Sequence, residues 1–201
     1  MKIGLIVECA LGGPDASVYQ YVASKICPNL EIEKPITSTN KKYLIEDSPQ
    51  KAQILLQTGC GFVFIIWDRE KGGNCQNDCE VLTNSLNGLG IDLNQIRLCC
   101  IDEMMESWMI ADNRGFMSWI RNKTDHPLPE FGDKKTKAEQ TFPKQRIKNY
   151  LRDNFPKWKY NHYEDNLEIV KSMPDFTRAA NWNPSFAYFK QSIENICPQL
   201  T

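Results

Sequence analysis

No stretch of the 201-residue sequence approaches the ~20 consecutive apolar residues that a membrane-crossing helix needs, so no membrane partner is expected. The N-terminal apolar run follows a single basic residue, Lys2, and ends at Glu8, which is too short for a secretory leader; the expected location is the cytoplasm. Internal repeats and low-complexity tracts are absent, which excludes solenoid and tail-like architectures. The formal net charge is −1, so the chain has no global attraction to polyanions, and any nucleic-acid contact must come from a local basic patch. Gly12-Gly13 is not followed by the lysine of a phosphate-cradling Walker loop, which leaves a generic nucleotide hydrolase or phosphatase the weakest of the readings. A zinc knuckle is also missing. Cys75 and Cys79 are four residues apart, and no second Cys/His pair lies nearby. Cys9, Cys27, Cys60, Cys99 and Cys100 fall in or beside apolar runs and are expected as small buried thiols of a reducing compartment.

What is present is an ordinary globular composition, 41% hydrophobic and 24% charged, in a chain long enough for one substantial core. Residues 2–8 form a continuous apolar run of the kind that builds a strand buried on both faces. Turn residues at 12–15 follow, with Asp15 or Ser17 placed to cap a helix carrying Val18, Tyr19, Val22, Ala23 and Ile26. A second, edge-like strand is expected near 30–36. Ser48-Pro49 reads as a helix start, and Gly59 as its end. The strongest strand signal is Gly61 to Trp67, which runs directly into Asp68-Arg69-Glu70; a helix at 78–86 and a fourth strand at 96–101 follow. Strand–helix alternation over about 120 residues predicts an α/β fold with a parallel sheet of about four strands. Residues 121–142 hold two prolines, Pro127 and Pro129, and several lysines and are expected as a flexible loop. Helical stretches over 143–201 are expected to pack back onto the sheet as an extension.

Acids terminate three of the strands: Glu8 after the first, Asp68 and Glu70 after the third, Asp102 and Glu103 after the fourth. Open α/β sheets collect ligands at the carboxyl ends of their strands. Carboxylates gathered there repel one another unless a cation intervenes, and oxygen ligands suit Mg2+ or Mn2+. Glu106 follows Glu103 by about one helical turn, so the two are expected on one face, whereas Asp112 points elsewhere and reads as structural.

Ile6-Val7-Glu8, Ile65-Ile66-Trp67-Asp68-Arg69-Glu70 and the seven residues Glu106-Ser107-Trp108-Met109-Ile110-Ala111-Asp112 resemble the small TOPRIM-like proteins of topoisomerase–primase type. The similarity is to the branch associated with bacterial anti-phage systems, including the nuclease effector of the PARIS system. It covers residues 1–120 and extends more weakly to Pro143-Lys144 and Asn183-Pro184-Ser185-Phe186. The resemblance implies a Mg2+-dependent endonuclease cleaving RNA or DNA, with Glu8, Asp68, Glu70 and Glu106 as catalytic and metal-binding residues. The chain departs from the family pattern at Cys9, where glycine is usual, and at Glu70, where a second aspartate is usual. Those departures keep a second reading open: a TOPRIM-like regulatory module that binds a partner ATPase. Oligomer formation is left open as well.

Positive charge for a nucleic-acid substrate comes from Lys134, Lys135, Lys137, Lys144, Arg146 and Lys148, of which Lys144, Arg146 and Lys148 share a predicted helix. Trp158, Tyr160, His162 and Tyr163 are candidates for base stacking, with packing as the competing role.

Overall fold

The structure is a computed structural model that describes residues 1–9, 13–69, 72–124, 127, 129–131 and 141–197. Five described strands, β1 (Lys2–Glu8), β2 (Glu31–Ile32), β3 (Ile36–Ser38), β4 (Phe62–Asp68) and β5 (Ile96–Ile101), form one sheet in which all pairings among the described residues are parallel. The expected edge strand is broken in two. β2 pairs with the start of β1 and β3 with its end, so together they form one flank, and the order across the sheet is β2/β3, β1, β4, β5.

Helices cover both faces, as continuous apolar strands require. On one face α1 (Pro14–Ile26) joins Ile3, Leu5, Val7, Phe64 and Ile66 in the larger core. On the other, α2 (Lys41–Gln57) and α3 (Cys75–Gly88) cover Ile6, Val63, Ile65 and Trp67. Gly4 is where α2 comes closest, since a Cβ there would lie 2.7 Å from Leu55 Cδ1. The chain leaves β1 toward one edge and returns through α2 to β4 on the other side. The topological switch point therefore lies between the carboxyl ends of β1 and β4.

Beyond β5 come α4 (Glu106–Ala111), α5 (Asn113–Arg121), α6 (Pro143–Asn154), α7 (His162–Lys171), α8 (Thr177–Trp182) and α9 (Pro184–Ile196). Their apolar faces join the α1 side of the sheet. Trp108 packs against Tyr19, Phe186 and Phe189 at ring-centroid distances of 5.3, 4.8 and 5.4 Å. Among the described residues no helix is long and apolar enough to cross a membrane.

Three local expectations are corrected. α2 starts at Lys41, capped by Asn40 accepting from the Tyr43 amide, and passes through Ser48-Pro49. Leu44, Ala52 and Leu55 all face the core, so burial outweighs the one backbone hydrogen bond that proline removes. α1 is capped by Gly13 with Pro14 in its first turn, so Asp15 is not the cap. The cysteines are not all free: Cys27 is bonded to Cys197 and Cys75 to Cys100, leaving Cys9, Cys60, Cys79 and Cys99 as thiols. Most of the loop expected at 121–142 lies outside the described residues. Within it, Phe131 is buried against Phe116 and Tyr150, and its carbonyl accepts from Asn113 Nδ2 at 2.9 Å.

Candidate active site

Parallel pairing sets Val7 beside Ile66 and Asp68 beside Ile101, so β1, β4 and β5 end at one edge. Glu8 and Asp68 meet there across the switch point. The Asp68 backbone N–H donates to Glu8 Oε2 at 3.2 Å, joining the ends of two strands 60 residues apart.

A cleft of about 190 Å³ opens over this edge, lined by Cys9, Gly13, Pro14, Asp15, Asp68, Met104, Glu106, Lys144, His162 and Tyr163. The first turns of α1, α6 and α7 contribute Asp15, Lys144 and His162 to it. Helix N-termini carry partial positive charge and unsatisfied N–H groups, so three of them around one cleft favour anionic groups there, whether carboxylates or phosphate.

Glu106 is held in place from several directions. It begins α4 and is 4% exposed. The Tyr160 hydroxyl lies 3.3 Å and Asn166 Nδ2 3.4 Å from its Oε1, and Lys144 Nζ is 3.7 Å away. Tyr160 and Asn166 also contact each other. Burial, followed by the Glu106 charge, drives the Tyr160 phenol far above its ordinary range, so it serves only as a neutral donor. α4 itself is pinned to α9: Asn183 Nδ2 donates to Ser107 Oγ at 3.0 Å, and Trp108 Nε1 donates to Ser185 Oγ at 3.0 Å. This ties the Glu106–Asp112 segment to the Asn183–Phe186 stretch.

Asp15 is the site residue that sequence reasoning missed. Burial first, and then the charge of Glu106, push its carboxyl up to about 7, while Lys144 and Asn166 pull the other way. It was legible only as an acid after a Gly-Gly-Pro turn, which suggests a cap rather than a cleft residue. His162 is shifted the other way: burial, together with the positive charges of Lys144 and Lys148, holds its imidazole below the usual value. Burial and the Asp15 charge push the Cys9 thiol up to about 11, so Cys9 is protonated at neutral pH and is no nucleophile.

Other candidates go elsewhere. Glu103 is not on a helix with Glu106. It sits at φ 66°, outside any helix, and with Asp102 it binds Arg69 Nη2 at 3.2 and 3.3 Å. The acids after β5 are thus paired with the arginine that follows Asp68, and Glu106 reaches the cleft alone. Asp112 is fully buried, caps α5 through the Arg114 amide and pairs with the Arg114 guanidinium at 2.7 Å, which makes it structural. Glu70, Lys134, Lys135 and Lys137 lie outside the described residues. Arg146 lies two residues after Lys144 on α6, about 160° around the helix at ~100° per residue, and so faces away from the cleft. Lys148 lies one turn beyond Lys144, near enough for its charge to act on His162.

The oxygen-rich donor set suits a hard cation rather than zinc. Among the described residues, no three of His, Cys, Asp or Glu are gathered closely enough to hold a metal ion together. A Mg2+ site does not require three, because Mg2+ is usually held by one or two carboxylates, with water and substrate phosphates completing its shell. The contact that the fold makes between Glu8 and Asp68 runs from the Asp68 backbone N–H to the Glu8 carboxylate, and of the two side chains Asp68 lines the cleft. No protein-family profile matches the chain, and no curated protein matches it.

Proposed function

We propose that the chain is a TOPRIM-like, metal-dependent nuclease that hydrolyses RNA or DNA phosphodiesters, acting in the cytoplasm as an effector of anti-phage defence. The single observation that carries this reading is the Asp68 backbone N–H on the Glu8 carboxylate at the switch point, beside a cleft that Asp68 lines and that three helix N-termini and one lysine ring. Glu8 and Asp68 would hold Mg2+ or Mn2+, with Glu70 and Glu106 as the further acids that the family resemblance supplies. A bound divalent ion would polarise the phosphoryl oxygen and acidify an attacking water. Lys144 and the helix N-termini offset the charge of the phosphate that enters. Asp15, with its carboxyl pushed up to about 7, is placed to accept a proton from water or return one to the leaving oxygen at neutral pH.

A second reading, a non-catalytic TOPRIM-like module that binds a partner ATPase, draws on the buried, hydrogen-bonded state of Glu106 and on the lack of a three-acid group among the described residues. One assay separates the two. Purified protein is incubated with labelled single- and double-stranded RNA and DNA in Mg2+, in Mn2+ and in EDTA, alongside Glu8→Gln. The nuclease reading expects cleavage in metal that is lost in EDTA and in the variant. Equal cleavage by the variant removes Glu8 from the site, and no cleavage of any substrate favours the binding module.

A further inference from the structure

A second concavity, about 420 Å³, lies beside the acidic cleft on the α6 side. Its wall is one face of α6, where Gln145, Lys148, Asn149 and Arg152 recur at helical spacing, and its far side is Trp158-Lys159-Tyr160. Lys148, Arg152 and Lys159 are all exposed, and no acid lines the groove among the described residues, although Asp153 sits next to Arg152 and pairs with its Nε at 2.9 Å. Trp158 is half-buried: Trp119 and Phe155 pack against it at 4.9 and 5.6 Å, Lys123 Nζ lies 5.0 Å from its ring centroid, and part of its remaining surface lines the groove. The indole is thus fixed in position by its packing against the core.

Groove and cleft are neighbours, with Tyr160 between them. Tyr160 lines the groove while its hydroxyl bonds Glu106 inside the cleft, and Lys148 lines the groove while its charge acts on the cleft residue His162. A chain laid on Lys148 and Trp158 would therefore lead to Lys144 and the carboxylates.

We infer that this groove binds single-stranded nucleic acid, with phosphates on Lys148, Arg152 and Lys159 and a base stacked at Trp158. The inference rests on the nuclease reading for its choice of polymer. The chemistry of the walls selects the single strand. Cations alternating with a fixed aromatic and with amide donors form a stacking platform, and a duplex keeps its base faces stacked inside the helix and unavailable to an indole. The small volume of the acidic cleft, about 190 Å³, and the burial of Glu106 act in the same direction, since a thin flexible strand reaches a small recess more readily than a rigid duplex.

The test is fluorescence anisotropy in EDTA, so that binding is read without cleavage, using a labelled oligo-dT, an oligo-U and a duplex of equal length. Both single strands should bind at least about 10-fold tighter than the duplex. Lys148→Glu with Lys159→Glu, both on exposed positions, should weaken single-strand binding about 10-fold or more. It should also flatten the plot of log K against log salt by about 1.4, at roughly 0.7 for each of the two phosphates no longer neutralised. Trp158→Leu should weaken binding about 10-fold with the salt slope unchanged. If that variant is misfolded by circular dichroism, the charge-reversal pair decides. Equal binding of duplex and single strand, or an unchanged affinity in the charge-reversal pair, overturns the inference. If metal-dependent cleavage is absent yet the anisotropy results hold, the nuclease reading fails and the groove stands. If cleavage is present and the charge-reversal pair changes neither affinity nor KM, only the groove fails.

Discussion

Asp15 offers the sharpest test of the cleft's electrostatics. Its carboxyl rises from an ordinary 3.8 to about 7 through burial and the nearby Glu106 charge. Between these two values the folded protein keeps a proton that the unfolded chain has released, so stability falls as pH rises across that window, and the loss is complete above about 7. Roughly three pKa units correspond to about 4 kcal/mol at about 1.36 per unit; halving this for partial solvent access leaves about 2 kcal/mol. Asp15→Asn keeps the shape and removes the charge. In EDTA, the variant should be about 2 kcal/mol more stable than the parent near pH 8, equivalent to roughly 4–8 °C in Tm for a chain of this size. The advantage should shrink as pH falls and vanish below about pH 4. Urea melts at a series of pH values measure it directly. Parallel stability curves for the two proteins, or a less stable variant near pH 8, would show that Asp15 is not under the pressure described.

Three further outcomes follow from the packing. Unfolding in denaturant without reductant should expose four reactive thiols, and with reductant all eight; eight in both cases would contradict the Cys27–Cys197 and Cys75–Cys100 bonds. Cys197→Ser removes a cross-link spanning 170 residues and should cost about 3–5 kcal/mol on the chain-entropy argument, read from urea midpoints under oxidising conditions. Gly115→Ala should destabilise by about 1–3 kcal/mol, because the new methyl would sit 2.5 Å from Met173 Cγ and 3.1 Å from the Ile169 carbonyl between α5 and α7; an unchanged midpoint would mean these helices do not touch.

The parallel sheet was legible because buried strands such as Phe62–Asp68 carry their signal locally, in unbroken apolar runs ended by acids. The order of the strands then determines which strand ends are neighbours, and it sets the Asp68 backbone N–H on the Glu8 carboxylate. Partners from distant segments were not legible. Arg69 takes Asp102 and Glu103 out of the site through ion pairs more than about 30 residues apart, and Tyr160 and Asn166 reach Glu106 from 54 and 60 residues away. Asp15 was hidden for a related reason: a turn-adjacent acid looks like a cap until the fold turns it inward. The start of α2 was misplaced because Ser48-Pro49 has the local form of a helix start, and only the buried line of Leu44, Ala52 and Leu55 overrules it.

If Glu8 and Asp68 together hold a divalent cation, the metal-free protein should bind one without any substrate present. Isothermal titration with Mn2+, alongside Glu8→Gln and Asp68→Asn, measures this directly. The expected result is saturable binding by the parent that each substitution weakens by at least about 10-fold. A parent that binds no Mn2+, or variants that bind it as well as the parent, would contradict the metal site.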